Sequence, residues 1–339
     1  MAEVGAETPI QTESKTASKP SLGKKDFEFA GNKVEVNFVR FSGEENPKFD
    51  PKKAAFLLTG WPMRADAKIT WGQPAMLAEE FGVTTYEIDG RPKGPFKMNS
   101  QTLEIEGIRQ FAEELEKTGV NEITLFGHSI GASKVVDLAL SLQQRNPNLK
   151  INLVLINPAG LYPQNIVDIA KAYAGGGGIN KETKNPRRIS QDQIPVLIDL
   201  AASIYKDMKD TGLNVFKLWR EQARKVSEFN ANLTKIKSPV IVMVATDDPA
   251  FTPEGIFPQE QMDKITPLPQ QGEDSRDKMA RIGKARERYL KENVLPEASD
   301  VKVIVATKYA NHIAFGVERP RLSSHIIARH FDRIKRTTK

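Results

Sequence analysis

The sequence predicts an α/β chain with a mostly parallel central sheet, helices on both of its faces, and a helical insertion late in the sheet. Three observations lead there. Apolar runs at 54–58, 83–88, 123–127, 151–156, 239–244 and 301–306 recur between helix-compatible stretches. Several of them are continuously apolar instead of alternating, as strands buried on both faces are. Strands and helices alternating at short intervals imply parallel pairing through helical crossovers.

At 339 residues the chain is long enough for one large domain with an insertion. It contains no cysteine, which excludes disulfides, thiolate metal sites and cysteine nucleophiles. The four histidines, His128, His312, His325 and His330, are too scattered for a histidine-rich metal cluster. No metal or other cofactor is expected. The net charge of +6 suits a well-dispersed, solvated surface, with anionic substrates or surfaces as the alternative. Residues 1–25 are polar, lack the apolar core of a secretory signal and read as a disordered tail. No run reaches the length of a membrane span, so a cytoplasmic protein is expected.

The elements follow in order. Phe27 to Phe29 and Val34 to Val39 alternate around Gly31-Asn32, a hairpin signal. The strand at 54–58 ends in Thr59-Gly60-Trp61-Pro62, and a helix over 70–81 leads to the strand at 83–88. Asp89-Gly90-Arg91-Pro92-Lys93-Gly94 then reads as a turn. Ile105, Ile108, Phe111, Ala112 and Leu115 give the segment 103–117 one apolar stripe at helical spacing, closed by Gly119. From 160 to 237 no strand-like run appears. Three amphipathic stretches, 163–174, 193–208 and 213–229, take over, with four glycines at 175–178 after the first. The sheet resumes at 239–244, and a charged helix at 276–292 precedes the last strand. A basic amphipathic helix over 320–334 closes the chain.

The chemistry-bearing stretch is Gly127-His128-Ser129-Ile130-Gly131, between the strand at 123–127 and a helix from about Ala132 to Leu142. A G-x-S-x-G turn joining strand to helix projects its serine above the sheet, and the flanking glycines allow the close packing such a turn needs. An ordinary glycine-lined turn is the alternative for the motif taken alone.

From about Phe27 to Ile334 these features resemble the α/β-hydrolase family. The resemblance implies a core of residues 26–159 and 238–339 with a helical cap at 160–237, and a triad in the chain order nucleophile, acid, histidine. Ser129 takes the first place. Asp248, in Thr246-Asp247-Asp248-Pro249 after the strand at 239–244, takes the second, ahead of Asp247. His312, in Tyr309-Ala-Asn-His-Ile-Ala-Phe-Gly-Val-Glu-Arg-Pro320, takes the third, with Asn311 where the family usually has glycine. The family's alternative acid position falls near Asn157, which is not a carboxylate. The oxyanion donors implied are the backbone N–H groups of Ile130 and Trp61, the latter in a loop that carries Thr59 where many members have histidine.

The resemblance implies a serine hydrolase acting on small to medium carboxylic esters through an acyl-enzyme, without nucleic-acid partners. Lactonase, thioesterase, amidase or carbon-carbon bond hydrolysis on the same triad remain open, as does a catalytically silent binding protein on the same fold. Tyr205, Phe216 and Trp219 are candidates to line a substrate pocket, but most apolar residues of the insertion read as its packing core. His128 reads as a structural histidine, and His325 and His330 as solvated or half packed. The basic stripe Arg281, Lys284, Arg288 and Lys291 reads as a solvated face.

Overall fold

The computed structural model describes residues 20–60, 63–164, 194–245, 248, 251–269, 272–306 and 324–331. Strands β1 (Ser21–Phe29), β2 (Asn32–Phe41), β3 (Lys53–Leu58), β4 (Thr84–Lys93), β5 (Glu122–His128), β6 (Lys150–Ile156), β7 (Val240–Ala245) and β8 (Val301–Ala306) form one sheet. Their spatial order is β1-β2-β4-β3-β5-β6-β7-β8. The β1/β2 and β2/β4 pairs are antiparallel and all later pairs parallel.

The order reverses once. From β3 the chain crosses through α1 (Gly72–Phe81) to β4, then returns past β3 through α2 (Ser100–Lys117) to β5. Right-handed crossovers in opposite directions place their helices on opposite faces. Leu77 of α1 accordingly packs with Ala55, Leu57, Phe126 and the helix at 324–331, through Ile327 and Phe331. Leu103, Ile108 and Phe111 of α2 pack on the other face with Ala54, Phe56 and Leu58, beside Val135 and Leu138 of α3 (Ile130–Arg145). Neighbouring residues of β3 thus serve two cores, which is why its sequence is apolar without alternation. Between β6 and β7 the described helices are α4 (Ile194–Thr211) and α5 (Val215–Ser227). After β7 come α6 (Pro253–Ile256), α7 (Gln259–Ile265) and α8 (Ser275–Asn293).

The structure departs from the sequence reading in three places. β1 begins at Ser21, inside the stretch 1–25 expected to be disordered; it is a mostly exposed edge strand and so has no apolar signature. Its hairpin turns on Ala30-Gly31, one residue earlier than expected, because Phe29 pairs with Asn32. Ala30 and Gly31 have φ of 48° and 72°, the signs a two-residue type I′ turn needs. Asp89 to Lys93 are strand and not turn, since β4 pairs with β2 out to Lys93. Pro92 is tolerated there because β3 pairs only with Thr84 to Glu87, leaving that end of β4 an edge. Of the first amphipathic stretch only Pro163 and Gln164 are described; the rest of it, and the four glycines, lie outside the described residues.

Ala30 adopts a left-handed conformation that costs an L-residue roughly 1–2 kcal/mol. Asparagine tolerates it far better. Ala30→Asn, on an exposed turn, is therefore expected to stabilise the protein by about 0.5–1 kcal/mol in urea unfolding, whereas Ala30→Val is expected to destabilise it.

Candidate active site

The strand order reverses at β3 and β5, and open α/β sheets usually bind ligands at the carboxyl ends of strands at such a point. Two sequence-predicted elements meet there. Gly60 follows β3 and Ser129 follows β5, and a Cβ built on Gly60 would stand 2.9 Å from the Ser129 Cβ and 3.3 Å from its Oγ. Ser129 has φ 56° and ψ −123°, a conformation that costs a non-glycine residue about 1–3 kcal/mol. Its N–H donates to the Ile156 carbonyl at 2.9 Å, and its carbonyl accepts from Ala132 and Ala159, each at 3.0 Å. The strained turn is thus tied both to β6 and to the helix it starts.

The glycines around it are required by close approach. A Cβ on Gly131 would lie 2.1 Å from the Leu58 carbonyl oxygen, and one on Gly127 would lie 2.5 Å from the Ala132 Cα. Ile130 is the first residue of α3, so its N–H has no intrahelical acceptor. Trp61, the other expected backbone donor, lies outside the described residues, but the loop around it does not. Met63 N–H donates to Gly60 at 2.9 Å, and the Thr59 hydroxyl donates to the Met63 carbonyl at 3.3 Å. Threonine thereby supplies side-chain support where the resembled family often has histidine.

Farther along the same sheet edge, Asn157 links β6 to β7. Its N–H donates to the Met243 carbonyl and its Oδ1 accepts from Ala245 N–H, both at 2.8 Å, with φ at 41°. The next stretch carries Asp248, fully buried, whose Oδ1 accepts from Phe251 N–H at 2.9 Å. Tyr162 lies close enough for burial and the Asp248 charge to raise its phenol well above the ordinary value. Its ring is wedged beneath α6, where a Cβ on Gly255 would meet the hydroxyl at 2.4 Å. Asp247 and His312 lie outside the described residues. The sequence marked Asn157 only as a non-carboxylate at the alternative acid position, and it gave no sign of that residue's link to β7 or of Tyr162: an asparagine in place of an acid, and a tyrosine in a loop, carry no signal until the β7 end is placed.

A buried ionic network supports this edge and was only partly foreseen. Asp89 and Arg91, read as structural, project from β4 toward the loop after β3. Asp89 Oδ2 accepts from Ala65 N–H at 2.6 Å, and Arg91 donates to the Met63 carbonyl at 3.1 Å. Arg64 of that loop donates to Asp207 and Asp210 of α4, at 3.3 and 2.8 Å, and Arg91 lies 3.5 Å from the other Asp207 oxygen. Burial pushes the Asp207 carboxyl up and the two arginines pull it down, with burial the larger effect. Beneath the same loop Glu87 is fully buried on β4 and bonded by the Thr70 hydroxyl, its carboxyl held well above the ordinary range by burial.

The remaining candidates fall outside this edge. Tyr205 and Phe216 are 69 % and 61 % exposed and Trp219 is half-buried, so the first two are not packing core as expected. For Tyr205 the reason is that α4 directs Asp207 inward, onto Arg64 and Arg91. His128 ends β5, half-buried. His325 and His330 face Glu80 and Asp300. On α8, Arg281 pairs with Glu273 at 2.7 Å and Arg288 with Glu292 at 2.7 Å. Among the described residues, no group of three acidic, histidine or cysteine side chains could hold a metal ion, and no helix is long and apolar enough to cross a membrane.

No family model matches the sequence, and no curated protein matches it either. Solved structures do match over nearly the whole chain. A bromoperoxidase from Bacillus anthracis is 14% identical with a TM-score of 0.53, over 91% of this chain and 98% of its own. A soluble variant of monoglyceride lipase from Saccharomyces cerevisiae, bound to a substrate analogue, is 14% identical with a TM-score of 0.52, over 96% and 99%. A Pyrobaculum calidifontis esterase is 15% identical with a TM-score of 0.52, over 93% and 85%. Together with the strand order and the turn at Ser129, this likeness establishes that the chain has the α/β-hydrolase fold.

Three substitutions test these charges. Asp207→Asn leaves Arg64 and Arg91 undercompensated and is expected to cost about 3–5 kcal/mol in denaturant unfolding. Asp210→Asn, at a part-exposed pair, is expected to cost under about 1 kcal/mol. For Glu87 the folded value is raised, so the folded state keeps a proton that the unfolded chain releases. Its contribution is full below the ordinary value of 4.5 and is lost as pH rises toward the folded value. Glu87→Gln, which mimics the protonated acid, should therefore gain stability relative to wild type as pH rises above that point. Thermal melts across pH measure this, and a constant difference would contradict it.

Proposed function

We propose that the protein is a serine hydrolase that cleaves carboxylic esters through an acyl-enzyme on Ser129, with His312 as general base and Asp248 as the acid that orients it. The observation that carries the reading is the backbone of Ser129, a strained non-glycine turn at the sheet's reversal point. Such strain persists only where surrounding structure enforces it, and it clusters at functional sites. A fully buried carboxylate after β7 adds support, because burial strengthens its interaction with an imidazole. Residues 26–159 and 238–339 would be the catalytic core and 160–237 the cap.

In the reaction, Ser129 Oγ attacks the ester carbonyl carbon as its proton passes to a neutral His312. The carbonyl π electrons move to oxygen, and that oxyanion is met by the N–H groups of Ile130 and Trp61. Collapse expels the alcohol, which takes the proton from the imidazolium. Water, deprotonated by His312, then attacks the acyl-enzyme and releases the acid and the free serine. Asp248 holds the imidazole tautomer and stabilises its cation. Asn157 and Tyr162 set the position of the loop that carries Asp248.

The test is hydrolysis of p-nitrophenyl esters from acetate to decanoate. Ser129→Ala and His312→Ala are each expected to lower kcat by about a millionfold, to the detection limit. Asp248→Asn is expected to lower it about ten-thousandfold. Turnover that survives Ser129→Ala would contradict the proposal, and no turnover of any ester would favour another acyl substrate or a silent binding role.

A further inference from the structure

Helix α4 is amphipathic in the reverse sense for a helix lying on a core. Its inward face is polar: Ser203, Asp207 and Thr211 are all buried. Its outward face is apolar, with Ile198, Tyr205 and Met208 spaced at helical intervals and 63 %, 69 % and 47 % exposed. Ala201 and Ala202 are exposed between them. The apolar character runs on through Leu213 in the following turn, at 86 %, to Phe216 at the start of α5. A helix with this pattern would ordinarily roll to bury its stripe. Here that roll would pull Asp207 from Arg64 and Arg91, a buried pairing that is costly to break. The apolar face is held outward by ionic bonds, and exposed apolar patches of this kind mark interaction sites.

The charges beside the stripe indicate the partner. Lys209, Arg220 and Arg224 are exposed along it. The acids nearby are engaged: Asp210 with Arg64, Glu221 with Ser100, and Glu228 with Arg224. A two-fold contact between copies through this face would bring basic margins together. An apolar stripe with aromatic residues and a basic margin instead matches the boundary of an anionic lipid surface. We propose that α4, residues 212–214 and α5 form a docking surface for anionic lipid, the stripe entering the acyl boundary and Lys209 and Arg220 meeting the headgroups. This binding is independent of the hydrolase reading.

Co-sedimentation of the full chain with phosphatidylcholine vesicles, with and without phosphatidylglycerol, tests it. Binding is expected to require phosphatidylglycerol and to weaken with salt. The pair Tyr205→Asp and Phe216→Asp, with the melting temperature measured alongside because the Phe216 ring packs edge-on against Trp219, should lower partitioning at least about tenfold. Lys209→Gln with Arg220→Gln should lower it roughly tenfold and flatten the salt dependence. Leu268→Asp, at an exposed leucine elsewhere, should change nothing. The proposal is overturned if the wild type ignores phosphatidylglycerol vesicles, or if binding survives the Tyr205 and Phe216 changes. A solution dimer that those two changes dissociate would also overturn it, assigning the face to a second copy.

Discussion

The absence of a side chain at Gly131 is the constraint on which the candidate site depends. With the Leu58 carbonyl 2.1 Å from where a Cβ would sit, α3 can begin one residue after Ser129 and lie against the end of β3. Gly127 and Gly60 relieve the same crowding from below and from the side. The chain therefore turns from strand to helix at a single residue, and Ser129 absorbs the strain at φ 56°. The sheet's change of direction at β3 places that residue at the carboxyl end of the sheet where its order reverses.

A second level of support comes from buried charge. The loop after β3 is tied down by Asp89 and Arg91 from β4 and by Asp207 from α4. Ion pairs at such burial contribute more to geometry than to net stability. The same bonds set the orientation of α4, so the inner loop and the outer apolar stripe are two consequences of one network. A change at Asp207 would be felt on both sides of the helix.

Most of the fold was legible because strands buried on two faces leave continuous apolar runs, and amphipathic helices leave stripes at 105, 108, 111, 112 and 115. Ser129 was legible because its turn needs glycines at fixed offsets. What escaped were features with no periodic signature: the exposed edge strand from Ser21, the strand continuation through Pro92, and the inverted helix α4. In α4 the stripe itself was visible, but its direction depended on Arg64 and Arg91, which are distant in sequence. Asn157 and Tyr162 escaped for the same reason, since each acts on the end of β7 and only the folded sheet brings them there.

Catalysis by this protein would depend most directly on the reactivity of one hydroxyl, that of Ser129. Treating the folded protein with a fluorophosphonate and locating the adduct by peptide mass spectrometry measures it. The account predicts a single modified residue, Ser129, with labelling lost in His312→Ala while the fold is retained. Label on a different serine, or none on wild type at concentrations that saturate known serine hydrolases, would contradict it.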